Sequence, residues 1–243
     1  GGSDRAGTAE ADPVSPTASG AACPAAPAGV PQIISASRRT DIPAFYMPWF
    51  MQRLRSGYAR YPQPFTGQMT EVSLRREHVH SIVFWTKNAR PLLTHLDELH
   101  DRGFPCVCHF TITGLPRQLE PGVPDWQQAV ETFAALSRRL GSQRVWWRFD
   151  PILLGGPLTA GECRQRFAAL AAALEGMTER CFFSFAAFYG KVRRRLAAAG
   201  APLAEPSLAD RQALAGDLAA LAARHRMLLL CCCGDELVGG GVG

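Results

Sequence analysis

Polar side chains able to bind anions or move protons recur where short apolar runs of this chain give way to loops. The first run, QIISAS at 32–37, closes on Ser37 and leads into Arg38, Arg39, Thr40 and Asp41. The run SIVFWTK ends on Lys87 and Asn88, and PCVCHFTIT carries His109, Thr111 and Thr113 at alternate positions. RVWWRFDPIL holds Arg148 and Asp150 in one register with Trp146, and RCFFSFAAFY sets Ser184 among aromatic rings. Guanidinium forks grip carboxylate or phosphate in bidentate fashion. An ammonium such as Lys87 neutralises an anion or, less commonly, adds to a carbonyl. Asp41 and Asp150 would fix hydroxyl or amine positions, so the set suits a small anionic cofactor or substrate.

Each of these residues also has a plainer role open to it. Arg148 and Asp150 could form a buried ion pair, Asp41 could clamp a loop through Arg38 or Arg39, and His109 could be a satisfied core histidine. Lys87 is harder to place that way, since a lysine on an apolar strand is costly without a carboxylate or an anionic ligand. The functional reading rests on coincidence of position across several strands.

The elements that would bring these residues together follow from the periodicity. Six strand-length runs rich in branched and aromatic residues occur at 32–37, 81–87, 105–113, 144–153, 180–189 and 227–233. Between them lie stripes with helical spacing: Leu92/Leu96/Leu99, Trp126/Val130/Phe133, Cys163/Phe167/Leu170/Leu174/Met177 and Leu214/Leu218/Leu221. Alternating strand and helix predicts an α/β fold with parallel pairing and right-handed crossovers. No Gly-rich phosphate loop follows the first strand, which favours a partial or incomplete TIM-like (β/α) barrel of about six parallel strands over a Rossmann sheet. Residues 58–76, with prolines and Gly67, break the rhythm and predict a loop with short extended segments. In such folds chemistry sits at the carboxyl ends of the strands, where the polar residues fall.

The composition, 47% hydrophobic with a net charge of +5, is that of a globular chain. The charge permits an anionic or nucleic-acid partner without requiring one. Residues 1–31, rich in Ala, Pro, Gly and Ser, are expected to be a disordered tail or sequence upstream of the true start, with 32–243 a single domain. No membrane-length apolar run or signal peptide stands out and the eight cysteines show no disulfide framework, so a cytoplasmic protein that does not engage membranes is expected. Cys106 and Cys108 fall on the strand face opposite His109, where packing against helices is expected. In the terminal run, Cys231 and Cys233 could at most share a ligand, an incomplete metal site.

Four stretches, IISASRRTDIPAFY, IVFWTKN, RVWWRFDPILL and CFFSFAAFYGKVRRRL, in this order, resemble the bacterial domain-of-unknown-function family 1848 over residues 33–238. The resemblance implies a relative of radical S-adenosylmethionine enzymes, with a partial (β/α) barrel whose mouth takes a cofactor or substrate. It also implies a 4Fe–4S cluster and S-adenosylmethionine in the full-length protein, the cluster held by cysteines in a C-terminal segment beyond the last strand. Because the chain ends at CCCGDELVGGGVG, it is expected to be truncated before that segment, to bind neither group alone and to be inactive in radical chemistry by itself.

Two other functions compete. Arg38, Arg39, Arg53, Arg55, Arg75, Arg76 and Arg193–Arg195, with Tyr58, Tyr61 and Trp85 for stacking, would make a nucleic-acid-binding module. Lys87 alone would support Schiff-base chemistry on a carbonyl.

Overall fold

The computed structural model describes residues 30–36, 39–63, 66–156, 158–186, 194, 205–232, 234–239 and 241–243. Ser37, Arg38, Cys233, Arg193, Arg195 and the N-terminal segment 1–29 lie outside that set.

Every expected strand forms. β1 (Gln32–Ala36), β4 (Val79–Thr86), β5 (Cys106–Thr111), β6 (Val145–Ile152), β7 (Arg180–Phe185) and β8 (Leu228–Cys231) pair in parallel in the order β1-β4-β5-β6-β7-β8. Strands laid down in chain order, with helices on one face, are wound as a barrel rather than doubly wound about a switch point. The sheet stays open, with β1 and β8 at its edges. The irregular stretch is an antiparallel hairpin, β2 (Tyr58–Pro62) with β3 (Met69–Ser73).

The motif at the first strand end explains its own helix. Asp41 caps α1 (Ile42–Phe45), its Oδ1 accepting the Ala44 N–H at 2.9 Å, and Pro43 sits in the first turn, where its missing N–H costs nothing. A second helix, α2 (Met47–Ser56), follows and ends on Gly57 in the left-handed region at φ 79°. The leucine stripe at 92–99 splits into two short helices, α3 (Arg90–Leu93) and α4 (Leu96–Asp101). α5 (Trp126–Leu140) buries Ala129, Phe133 and Leu136, while Trp126, the first residue of its apolar stripe, is exposed. α6 (Ala160–Ala173) starts on a Thr159/Glu162 capping box, and α7 (Leu208–Arg224) on Ser207.

Strand parity divides the sheet. One face holds Phe84, Cys106, Cys108, Phe110, Trp147, Phe149, Cys181 and Phe183, all buried. The helices cover this face: Phe110 packs on Phe133 of α5, Trp147 stacks on Phe167 of α6, and Phe84 meets Phe50 of α2 edge-on. The indole N–H of Trp147 is satisfied by the Ile112 carbonyl at 2.9 Å, so this large ring costs no unpaired donor. The opposite face carries the polar sets. Pro151 lies inside β6. The ladder to β7 shifts register between Phe149 and Ile152, where the proline has no N–H to give.

Candidate functional site at the strand carboxyl ends

Three rows of side chains cross the face away from the core. Trp85, His109 and Trp146 are register partners on β4, β5 and β6. Thr111, Arg148 and Phe182 form the next row toward the carboxyl ends. Beyond them, Asp150 on β6 and Ser184 on β7 are joined by a hydrogen bond from the serine hydroxyl to Asp150 Oδ1. A strand reverses its side chains every residue, so these rows follow directly from the alternation in the sequence.

Arg148 is the centre of the arrangement. Its Nη2 donates to Asp150 Oδ2 and, at 3.3 Å, to Cys232 Sγ. The guanidinium carbon lies 5.0 Å from the centroid of Trp85 and 5.9 Å from that of Phe182. Burial opposes its charge, but the bonds to Cys232 and Asp150 outweigh that and raise its pKa. A guanidinium has five N–H donors, and these two hydrogen bonds both use Nη2.

A second cluster stands two strands away. The Lys87 ammonium donates to Glu120 Oε1, and Glu120 Oε2 accepts the Thr113 hydroxyl at 2.6 Å. Glu120 thus supplies the partner that a lysine on an apolar strand demands. It lies in the loop between β5 and α5, with no apolar period or strand around it, and nothing in the sequence marks it. A cavity of about 90 Å³ opens beside it, lined by Thr111, Thr113, Glu120 and Trp126 among others.

Asp41 and Asn88 are structural members of the rim. Asp41 Oδ2 accepts the Lys87 backbone N–H at 2.8 Å, so both of its carboxylate oxygens hold backbone donors. It therefore clamps its loop through Lys87 and Ala44; Arg39, the described arginine of that motif, turns instead toward Tyr61, its guanidinium 5.7 Å from the ring. Asn88 Oδ1 accepts the Arg90 N–H at 3.2 Å, and the Asn88 N–H donates to Thr86 Oγ1 at 2.9 Å, an arrangement that turns the chain out of β4.

His109 is 5% exposed and stacks on Trp85 at 3.9 Å with an 8° interplanar angle, Trp146 meeting it edge-on at 4.7 Å. Its Nδ1 is buried without a hydrogen-bond partner among the described residues, so it is not a satisfied core histidine. Burial first, and the charge of Arg148 second, push its pKa down to about 3. The imidazole is neutral at physiological pH.

Among the described residues the cysteines are not grouped to hold an iron–sulfur cluster. Cys106, Cys108, Cys163 and Cys181 are buried on the helix side, and burial pushes the Cys106 thiol up to about 12. Cys231 packs against that same core, so parity brings Cys232 rather than Cys231 to Arg148. The expected Cys231–Cys233 pair has its second member outside the described residues, and among those residues no three His, Cys, Asp or Glu side chains are grouped to hold a metal. Of the arginines proposed for nucleic acid, Arg55 is bonded to Glu98. Trp85 lies beneath Arg148 rather than beside them. No helix among the described residues is long and apolar enough to cross a membrane.

The model of the family described as "Domain of unknown function (DUF1848)" matches residues 33–242, nearly the whole folded body, and the chain belongs to that family. No curated protein and no solved structure matches it.

Proposed function

For this DUF1848 member we propose a small-molecule-binding barrel whose ligand carries an anionic group and sits at the carboxyl ends of β4 to β7. The observation that supports this most strongly is the placement of Lys87 and Arg148 at the same end of the sheet, at the carboxyl ends of β4 and β6. Each is held by a carboxylate yet has further N–H donors beyond those its neighbours take.

The fixed partners matter physically. An ion pair taken partly out of water is a poor device for stability alone, because desolvation offsets much of the attraction. Held by Asp150, which the Ser184 hydroxyl fixes in turn, the Arg148 fork is oriented before the ligand arrives, which saves the cost of ordering a long side chain on binding. Lys87 is held the same way by Glu120, itself fixed by the Thr113 hydroxyl. Trp85 and Phe182 form the apolar floor beneath the guanidinium, and neutral His109 adds a hydrogen-bonding ring without adding charge. The reading includes substrate or cofactor binding in an enzyme-like mouth and asks nothing of the cysteines.

Thermal unfolding in the presence of pyrophosphate, citrate and simple carboxylates tests it. A ligand at ten times its Kd should raise the Tm by about 3–5 °C, and Arg148→Met should abolish the rise. A panel of small anions that leaves the Tm unmoved, or moves it equally in Arg148→Met, refutes the reading.

A further inference from the structure

The chain's positive charge and its exposed rings are concentrated in one short region that begins at the Asp41 rim and runs through α1, α2 and the β2–β3 hairpin. Residues 39–76 carry six arginines against Asp41 and Glu71, a net +4 of the chain's +5. Phe45, Tyr46, Trp49, Tyr58 and Tyr61 are all exposed, Phe45 at 71%, and Trp126 is the one other exposed aromatic among the described residues. Single exposed apolar residues are ordinary, but five rings in seventeen positions are not.

Packing does not account for these rings. α2 meets its core requirement with Met47, Phe50, Met51 and Leu54, all nearly fully buried, on the opposite side from Trp49. Phe45 closes α1 and Trp49 lies in the first turn of α2, and Arg53 follows Trp49 one turn later with its Nε buried and lacking a hydrogen-bond partner among the described residues. In the hairpin each tyrosine has a guanidinium against it: Arg60 lies 5.3 Å from the Tyr58 centroid and Arg39 5.7 Å from that of Tyr61. Rings and guanidiniums therefore alternate along the surface.

We propose that α1, α2 and the β2–β3 hairpin form a docking surface for a single-stranded polynucleotide, with Trp49 and Phe45 stacking on bases and Arg39, Arg53 and Arg75 meeting phosphates. Unpaired bases expose the flat faces that such rings accept, and a phosphate backbone supplies the repeating negative charge that the arginines complement. A duplex hides its base faces. A bilayer would call for a continuous apolar surface, whereas here the tyrosines have guanidiniums against them.

Fluorescence anisotropy of the whole chain with labelled single strands of about 12 nucleotides, one DNA and one RNA, and with the matching duplex decides the matter. At low salt at least one single strand should bind more tightly than the duplex. With three phosphate contacts, log K should fall against log salt with a slope of about −2. Trp49→Ala should weaken binding about tenfold or more at every salt concentration. Arg39→Gln should flatten the slope by roughly 0.7, and it carries the test if Trp49→Ala does not fold. No binding at low salt, equal affinity for the duplex, or an unchanged affinity in a folded Trp49→Ala overturns the proposal. So does binding only to anionic lipid vesicles, or self-association that Trp49→Ala removes in a chain that binds no oligonucleotide.

Discussion

Asp41 Oδ2 accepts the backbone N–H of Lys87 at 2.8 Å, joining the end of β1 to the end of β4 across 46 positions of sequence. The other oxygen caps α1. Asp41→Ala removes a helix cap worth about 1 kcal/mol and a hydrogen bond to a charged group worth about 1.5–3 kcal/mol. Urea unfolding should show a loss of about 3 kcal/mol, with Asp41→Asn recovering part of it. A loss below about 0.5 kcal/mol would mean that the clasp contributes little.

Arg148 and Asp150 form a pair in which each partner answers the other's charge in a mostly buried setting. Arg148→Met should cost about 3 kcal/mol, because it leaves Asp150 with Ser184 alone. Adding Asp150→Leu should restore most of that, since two apolar groups leave no buried charge behind. Equal losses in the single and double variants would contradict this.

His109 makes stability depend on acid in a defined window. Its folded pKa is about 3, below the roughly 6.5 of an unfolded histidine. The unfolded chain therefore takes up the proton first as pH falls. The contribution is complete above about 6.5 and is lost on descending toward 3, by up to about 5 kcal/mol. His109→Phe should flatten the stability profile between those limits. An unaltered profile would place the acid sensitivity elsewhere.

The described thiols should separate cleanly by reactivity. Cys232 is exposed, whereas Cys106, Cys108, Cys163 and Cys181 are buried. Burial also raises the pKa of each of those four thiols. Brief treatment of the native protein with iodoacetamide, mapped by mass spectrometry, should modify Cys232 and spare those four until denaturant is added. Labelling of Cys108 in the native state would contradict the packing of β5.

Much of the fold can be read in the chain because burial imposes periods on it. Two-residue alternation in CVCHFT and VWWRFD assigned His109, Arg148 and Asp150 to the face opposite Cys108 and Trp147, and the sheet confirms that division. The DIPAF motif could be read as a strand stop, but its capping role depends on the third-residue N–H returning to Asp41. Glu120 escaped because loops have no period; only the need of Lys87 for a partner hinted that some carboxylate must come. The exposure of Trp126 escaped too, since a helical stripe fixes which residues align but not which end is left uncovered.

Titration calorimetry on one anionic ligand, with Lys87→Met and Arg148→Met beside the parent chain, tests the common pocket most directly. If both cations face a single ligand, each substitution should weaken binding by at least about tenfold, corresponding to one charge-assisted contact of about 1.5–3 kcal/mol. The double variant should show no measurable heat of binding. A ligand whose affinity survives both substitutions would show that the two clusters serve only the fold.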